Sequence, residues 1–193
     1  MIIRDTPERY GIVSQSLHWG MAAGIIALFG LGWWMVRLDY YDDYYTRAPA
    51  LHRSIGMLMM FALILRIAWR IANRKPAHPD LTPFERKASS LVHFAFYPLL
   101  LVLTMSGYLI STGDGRAIDV FDWFAVPSVL HNKSIAVAAG PIHRWMAYTV
   151  MILAGLHASA AIRHAVTRYR FRAPAGSDRM PPPISDSVKE APR

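Results

Sequence analysis

Four apolar stretches, residues 16–36, 51–71, 91–111 and 143–163, each reach the roughly 20 residues that a helix needs to cross the hydrocarbon core of a bilayer. In lipid, every backbone polar group needs a partner within the protein, so a spanning segment must be a helix or part of a closed barrel. The blocks carry Leu, Ile, Met, Ala and aromatics on all sides, as lipid-embedded helices do. Hydrophobic residues make up 53% of the chain against 18% charged, and the charges crowd into the connections. The expected fold is therefore an all-α membrane protein, a four-transmembrane-helix bundle over residues 1–172. Residues 173–193, rich in proline and polar groups, read as a disordered tail. The first block follows Asp5 and Glu8, is too long for a signal peptide and lacks a small-residue cleavage site, so it is expected to stay as the first span.

Charge sets the expected orientation. The stretch from Arg66 to Ser90 holds Arg66, Arg70, Arg74, Lys75, Arg86 and Lys87 against Asp80 and Glu85, and the tail is also basic. The connection over residues 112–142 has only Arg116 and Lys133 against Asp114, Asp119 and Asp122. The positive-inside rule then places both termini and the 66–90 connection in the cytoplasm. The 37–50 and 112–142 connections face outward. A net charge of +8 does not imply nucleic acid here, because the basic residues flank spans, where orientation and anionic lipid account for them. Tyr40, Tyr41, Tyr44 and Tyr45 with Trp33 and Trp34 suit an aromatic belt at the outer boundary. The aromatic-rich outer segment around Phe121, Trp123 and Phe124 is expected to lie on the surface rather than project.

Histidines interrupt the apolar blocks at matched depths. His52 opens the second span and His143 the fourth, both at the outer side. His18 enters the first span from the cytoplasm, and His157 lies deeper in the fourth, towards the cytoplasm. His143 and His157 are fourteen residues apart, which on a helix returns to within about 40° and advances about 21 Å. Depth thus pairs His52 with His143 and His18 with His157. Ionisable groups in a membrane are costly and tend to mark function. A single interfacial histidine can equally cap a helix, but four at paired depths are harder to explain so.

Imidazole is the commonest side-chain metal ligand, yet two per site are too few for closed zinc, which takes four donors. The absence of cysteine excludes disulfides, iron–sulfur clusters and covalently attached haem. Two axial nitrogens suit haem b, whose macrocycle supplies the other four, so two non-covalent bis-histidine haems are expected. Gly56 and Gly155 lie near ligand candidates and would let a flat macrocycle approach, although small residues also serve helix packing. Gly20 and Gly24 form a GxxxG better read as helix contact. Arg53 and Arg144 follow two of the histidines and would match haem propionates, or simply snorkel to the interface.

The stretches YGIVSQSLHW, LHRSIGMLMM with RIAWR, LVHFAFYPLLLVLTMSGYL and HRWMAYTVMILAGLHASAAIRH together resemble the bacterial cytochrome b561 family of small di-haem membrane cytochromes. The segment GRAIDVFDWFAVP is also similar, and the likeness covers residues 10–165. By motif it implies that His18 and His157 ligate the cytoplasmic-side haem and His52 and His143 the outer one, in a bacterial inner membrane. It implies quinone as a partner and superoxide as an electron donor at the outer face, oxidised to oxygen.

A haem with both axial positions filled favours electron transfer over oxygen activation. Lipid-soluble quinone is a natural partner for a chain with no sizeable extramembrane domain. Arg53, Lys133, Arg144 and Arg116 could attract a small anion outside, with Asp114, Asp119 and Asp122 partly cancelling the field. At the cytoplasmic end His164, Arg66, Arg70 and His93 are candidates for a quinone and proton site. His93 can instead bond a helix carbonyl, and Arg66 can snorkel or neutralise a propionate. His78 and His131 read as solvated loop residues. Three functions are therefore in view. The first is an oxidoreductase passing electrons between a small donor and quinone. The second is a haem-bearing anchor and relay subunit for a dehydrogenase or hydrogenase. The third, a histidine-based channel, is disfavoured because no span contains an acidic residue.

Overall fold

The computed structural model describes residues 2–7, 9–73 and 82–172, without the side chains of 168–172. The tail over 173–193 and His78 lie outside the described residues. The chain divides into two units, Met1–Gly155 and Leu156–Arg193. The first carries helices α1 (Ile12–Met35), α2 (Arg47–Ala72) and α3 (Pro83–Thr112), strands β1 (Ile118–Val120) and β2 (Phe124–Val126), and α4 (Lys133–Arg172) as far as Gly155. All four helices are long and apolar enough to cross a membrane, which agrees with the four expected spans.

Each helix starts before its apolar block, and for α3 and α4 local end signals set the start. Helix α3 begins at Pro83 because Thr82 accepts from the Glu85 N–H while the Glu85 carboxylate accepts from the Thr82 N–H, a complete capping box. Pro83 suits the first helical position, where no N–H is needed. Helix α4 starts ten residues before His143, where Asn132 Oδ1 accepts from the N–H groups of Ser134 (3.0 Å) and Ile135 (3.2 Å). Pro141 therefore sits inside α4 rather than at its start.

The helices of the first unit meet in a small apolar core. Met21 of α1, Leu63 of α2, Leu100 of α3 and Val150 of α4 are buried together, while most other large apolar side chains face outward. That exposure fits a lipid surround, since lipid tails exert no hydrophobic pressure to hide them. Gly24 packs against Met59 of α2, so this half of the GxxxG does serve helix contact; a side chain at Gly20 would meet open space. Among the tyrosines and tryptophans of the expected belt, Trp34 packs on Tyr44, and Tyr40 on Tyr41 and Tyr45.

The segment expected to lie along the surface is an antiparallel hairpin. Ile118 pairs with Val126, Asp119 with Ala125 and Val120 with Phe124. Three residues, Phe121, Asp122 and Trp123, join the strands; Phe121 (φ 51°) and Asp122 (φ 59°) lie in the left-handed region, and the Trp123 N–H closes the turn on the Val120 carbonyl at 2.9 Å. Ile118 and Val120 are buried with Met57 of α2 and Tyr108 of α3. Buried hydroxyls clamp the hairpin to the helices. Ser54 Oγ donates to the Asp119 carbonyl (3.1 Å) and accepts from the Phe121 N–H (3.3 Å). Tyr108 Oη donates to the Pro127 carbonyl (2.8 Å) and accepts from the Val129 N–H (2.9 Å). Ser128 donates to the Thr112 carbonyl (2.8 Å).

Removing the Tyr108 hydroxyl leaves one carbonyl and one N–H without that partner. Tyr108→Phe should destabilise the protein by about 1–3 kcal/mol, read as a lower thermal midpoint in detergent.

Candidate functional site

Two cavities open in the first unit, one at each end of the bundle. The larger, about 950 Å³, lies under the hairpin and is lined by residues of α1, α2, α3, α4 and the hairpin connection. His52 and His143 both line it, from α2 and α4, with ring centroids 6.2 Å apart. The two rings, their planes 75° apart, thus come together from different helices on one cavity. Among the described residues no three His, Cys, Asp or Glu side chains come together as a metal group, so further donors must come from elsewhere.

The two rings are held in parallel ways. His143 Nδ1 donates to the Leu103 carbonyl at 2.9 Å, with Ser106 Oγ 3.3 Å away. A carbonyl can only accept, so the proton sits on Nδ1 and Nε2 keeps its lone pair for a ligand. One turn further along α3, a Cβ on Gly107 would stand 3.0 Å from His143 Cε1. On α1, a Cβ on Gly32 would stand 3.1 Å from His52 Cε1. Each ring therefore lies against a glycine of a neighbouring helix, and neither glycine tolerates a side chain unless the ring shifts. His52 Nδ1 is buried and has no hydrogen-bond partner among the described residues. Such an orphan beside a cavity points to a group that the protein alone does not supply. Gly56, also in the wall, leaves open space where a Cβ would be.

Of the arginines that follow these histidines, Arg53 lines the cavity, whereas Arg144 is exposed and not in its wall. Arg116 is at the rim but engaged: Nε lies 2.7 Å from Asp114 Oδ2. The Arg116 backbone N–H donated to Asp114, helped by the guanidinium, holds this carboxyl below its ordinary range. Asp119 and Asp122 also line the wall, and Lys133 does not. Arg47 lines it too, and belongs with the rim cations. His131 is exposed, and its Nε2 lies 3.3 Å from the Ser128 carbonyl.

The second cavity, about 660 Å³, lies among the N-terminal ends of α1 and α3 and the C-terminal end of α2. Its wall brings together His18, Arg66, Arg70 and His93. Arg66 Nη2 donates to His18 Nδ1 at 3.2 Å, which makes that nitrogen an acceptor, the reverse of His143. Arg66 Nη1 is buried without a hydrogen-bond partner among the described residues. His93 Nδ1 donates to the Ser89 carbonyl at 2.7 Å, the helix-end bond that its position allowed. Sequence reasoning missed Asp5. Its side chain is fully buried, accepting from the Gly11 N–H and the Ser14 hydroxyl at 2.8 Å each, with Arg70 Nη1 3.9 Å away. Ser14 in turn accepts from Trp69 Nε1 at 3.0 Å.

His157 and His164 belong to the second unit. Within residues 156–167 they alone are half-buried, the rest being exposed. Their spacing of seven puts them on one helix face.

The family model for prokaryotic cytochrome b561 matches residues 9–172, most of the chain. The chain is also 44% identical over 166 residues to cytochrome b561 homolog 2 of Escherichia coli (strain K12), covering 85% of this chain and 88% of that protein. The four apolar helices and the facing histidines agree with that likeness. The chain belongs to the prokaryotic cytochrome b561 family, multi-pass membrane proteins that transfer electrons by means of haem b.

Proposed function

We propose that this protein is a di-haem b cytochrome of the bacterial inner membrane that passes electrons across the bilayer to quinone, with superoxide as a donor at the outer face. The observation that carries the reading is the His52–His143 pair, 6.2 Å apart between ring centres across a cavity with space for a macrocycle. His52 and His143 would hold one haem, with Arg53 near a propionate; His18 and His157 would hold the other. Bis-histidine haem, when bound, supplies reversible one-electron transfer without an open coordination position.

The chain's own residues supply the rest. Leu103 and Gly107 hold the His143 ring, and Gly32 abuts His52. Arg47, Arg53 and Arg116 give the hairpin-end rim its cationic groups, against Asp114, Asp119 and Asp122. A small anion is drawn to such a rim by long-range attraction. At the other end Nη1 of Arg66, unpaired among the described residues, offers a donor to a quinone carbonyl or to a haem carboxylate. Arg70 and His93 share that wall; His164 remains a quinone or proton candidate from the sequence. In the overall reaction two superoxide anions each lose one electron and leave as oxygen. The quinone gains the two electrons and two protons and becomes quinol. The positive-inside rule puts the hairpin end outside and both termini in the cytoplasm.

The purified protein should show a reduced-minus-oxidised b-type spectrum with two haems per chain. His52→Ala or His143→Ala should lose one haem and keep the other. Loss of both, or of neither, would refute the pairing. Superoxide should reduce added quinone through the isolated protein; dependence on a co-purifying dehydrogenase would favour a relay subunit instead.

Gly107→Ala should displace the His143 ring and weaken retention of the hairpin-end haem by about 10-fold, as loss of outer-shell support does elsewhere. An unchanged haem content and low-spin signal would show that this packing does not position a ligand.

A further inference from the structure

The hairpin is placed too far down α2 to be an ordinary aqueous loop. Ser54 holds its turn, between Asp119 and Phe121, while the Phe124 ring packs on Phe61 with centroids 6.1 Å apart. Ser54 and Phe61 are seven residues apart, about 10 Å along the axis. Counted from residue 51, where the apolar block starts, the hairpin covers depths of roughly 5 to 15 Å. Amphipathic elements lying on a bilayer sit at about 5–10 Å into the boundary between headgroups and acyl chains.

Its chemistry fits that layer and neither of its neighbours. Trp123 is 73% exposed and Phe124 43% exposed, a costly arrangement in water. Phe124 continues the outward-facing stripe of Phe61, Ile64 and Leu65 on a membrane-spanning helix, with exposed Trp123 next to it in the chain. Yet β2 pairs only with β1 among the described residues, leaving an open strand edge, and Asp122 at the tip is exposed. Neither an open edge nor a carboxylate belongs in hydrocarbon. Hydrated headgroups satisfy both, and an indole with an apolar body and an N–H donor partitions there. The left-handed turn at Phe121 and Asp122 allows this division, since Phe121 packs into the buried cluster while Trp123 stands out.

We infer that the hairpin is an interfacial membrane anchor: Trp123 and Phe124 seat it among lipid headgroups and so fix the height of the cavity rim above the bilayer. Lipid is the occupant of this face. The rim residues Asp114, Arg116 and Asp119 belong to the same segment, so its depth decides how far solutes must descend to reach the cavity.

The chain has no cysteine, so single spin-labelled cysteines report cleanly. Labels at Ala125→Cys, Ile64→Cys and Asp43→Cys are compared in phosphatidylglycerol–phosphatidylethanolamine vesicles, using oxygen and a water-soluble nickel chelate as relaxation agents. The Ala125 label should read a depth between the other two, near the phosphates. Adding Trp123→Ala should raise its nickel accessibility severalfold. Nickel accessibility equal to that at Asp43 would overturn the anchor in favour of an aqueous hairpin. Exclusion of both agents with dipolar broadening would overturn it in favour of a second copy on this face. No response to Trp123→Ala would also refute the role given to that side chain.

Discussion

A polar group inside a hydrocarbon layer must find a partner in the protein or in a ligand, and this constraint organises the whole molecule. It makes the spans helical, since only a helix satisfies its backbone within one segment. It also explains why the few polar side chains that enter the bundle are engaged. Ser54 holds the hairpin, Tyr108 holds the segment after it, and His143 bonds the Leu103 carbonyl. Against that background the exceptions are informative. His52 Nδ1 and Arg66 Nη1, both buried and unpaired among the described residues, line the two cavities.

The two ends meet this constraint differently. Under the hairpin, two rings face each other, each lying against a glycine of another helix, with one tautomer set by a carbonyl. At the opposite end His18 accepts from Arg66, and the surroundings are ionic: Arg70, the buried Asp5 and the hydroxyl of Ser14. A cavity whose two facing rings are each fixed by a glycine suits a rigid planar cofactor. A wall with several donors suits a ligand that exchanges protons as well as electrons. The reading proposed above, a haem at each end with quinone chemistry beside the second, draws on that difference.

Much of this was legible in the chain. Block length predicted four spans, and matched depth paired His52 with His143, which the structure brings together. The pairing of His18 with His157 rests on the sequence, because the two residues belong to different units. Other features left no readable signal. Gly32 and Gly107 look like ordinary small residues of a span, and only the neighbouring helix reveals that a ring lies against each. Asp5 precedes the first span by several residues and reads as an exposed polar terminus until the chain folds back to bury it. The hairpin was obscured because its turn, Phe121-Asp122, lacks the glycine or asparagine that usually marks a left-handed pair.

What the sequence by itself determined was the solvent and the candidate ligands: lipid, from the length of the apolar blocks, and paired histidines, from their depth in those blocks. Both are one-dimensional properties, because rise per residue along a helix converts position in the chain into depth in the bilayer. Rotation about each helix axis and contact across helices are not, since lipid-facing and protein-facing sides are equally apolar in such spans. The tertiary structure alone decided which glycine backs each imidazole, which arginines reach a cavity wall, and that the outer segment folds down along α2.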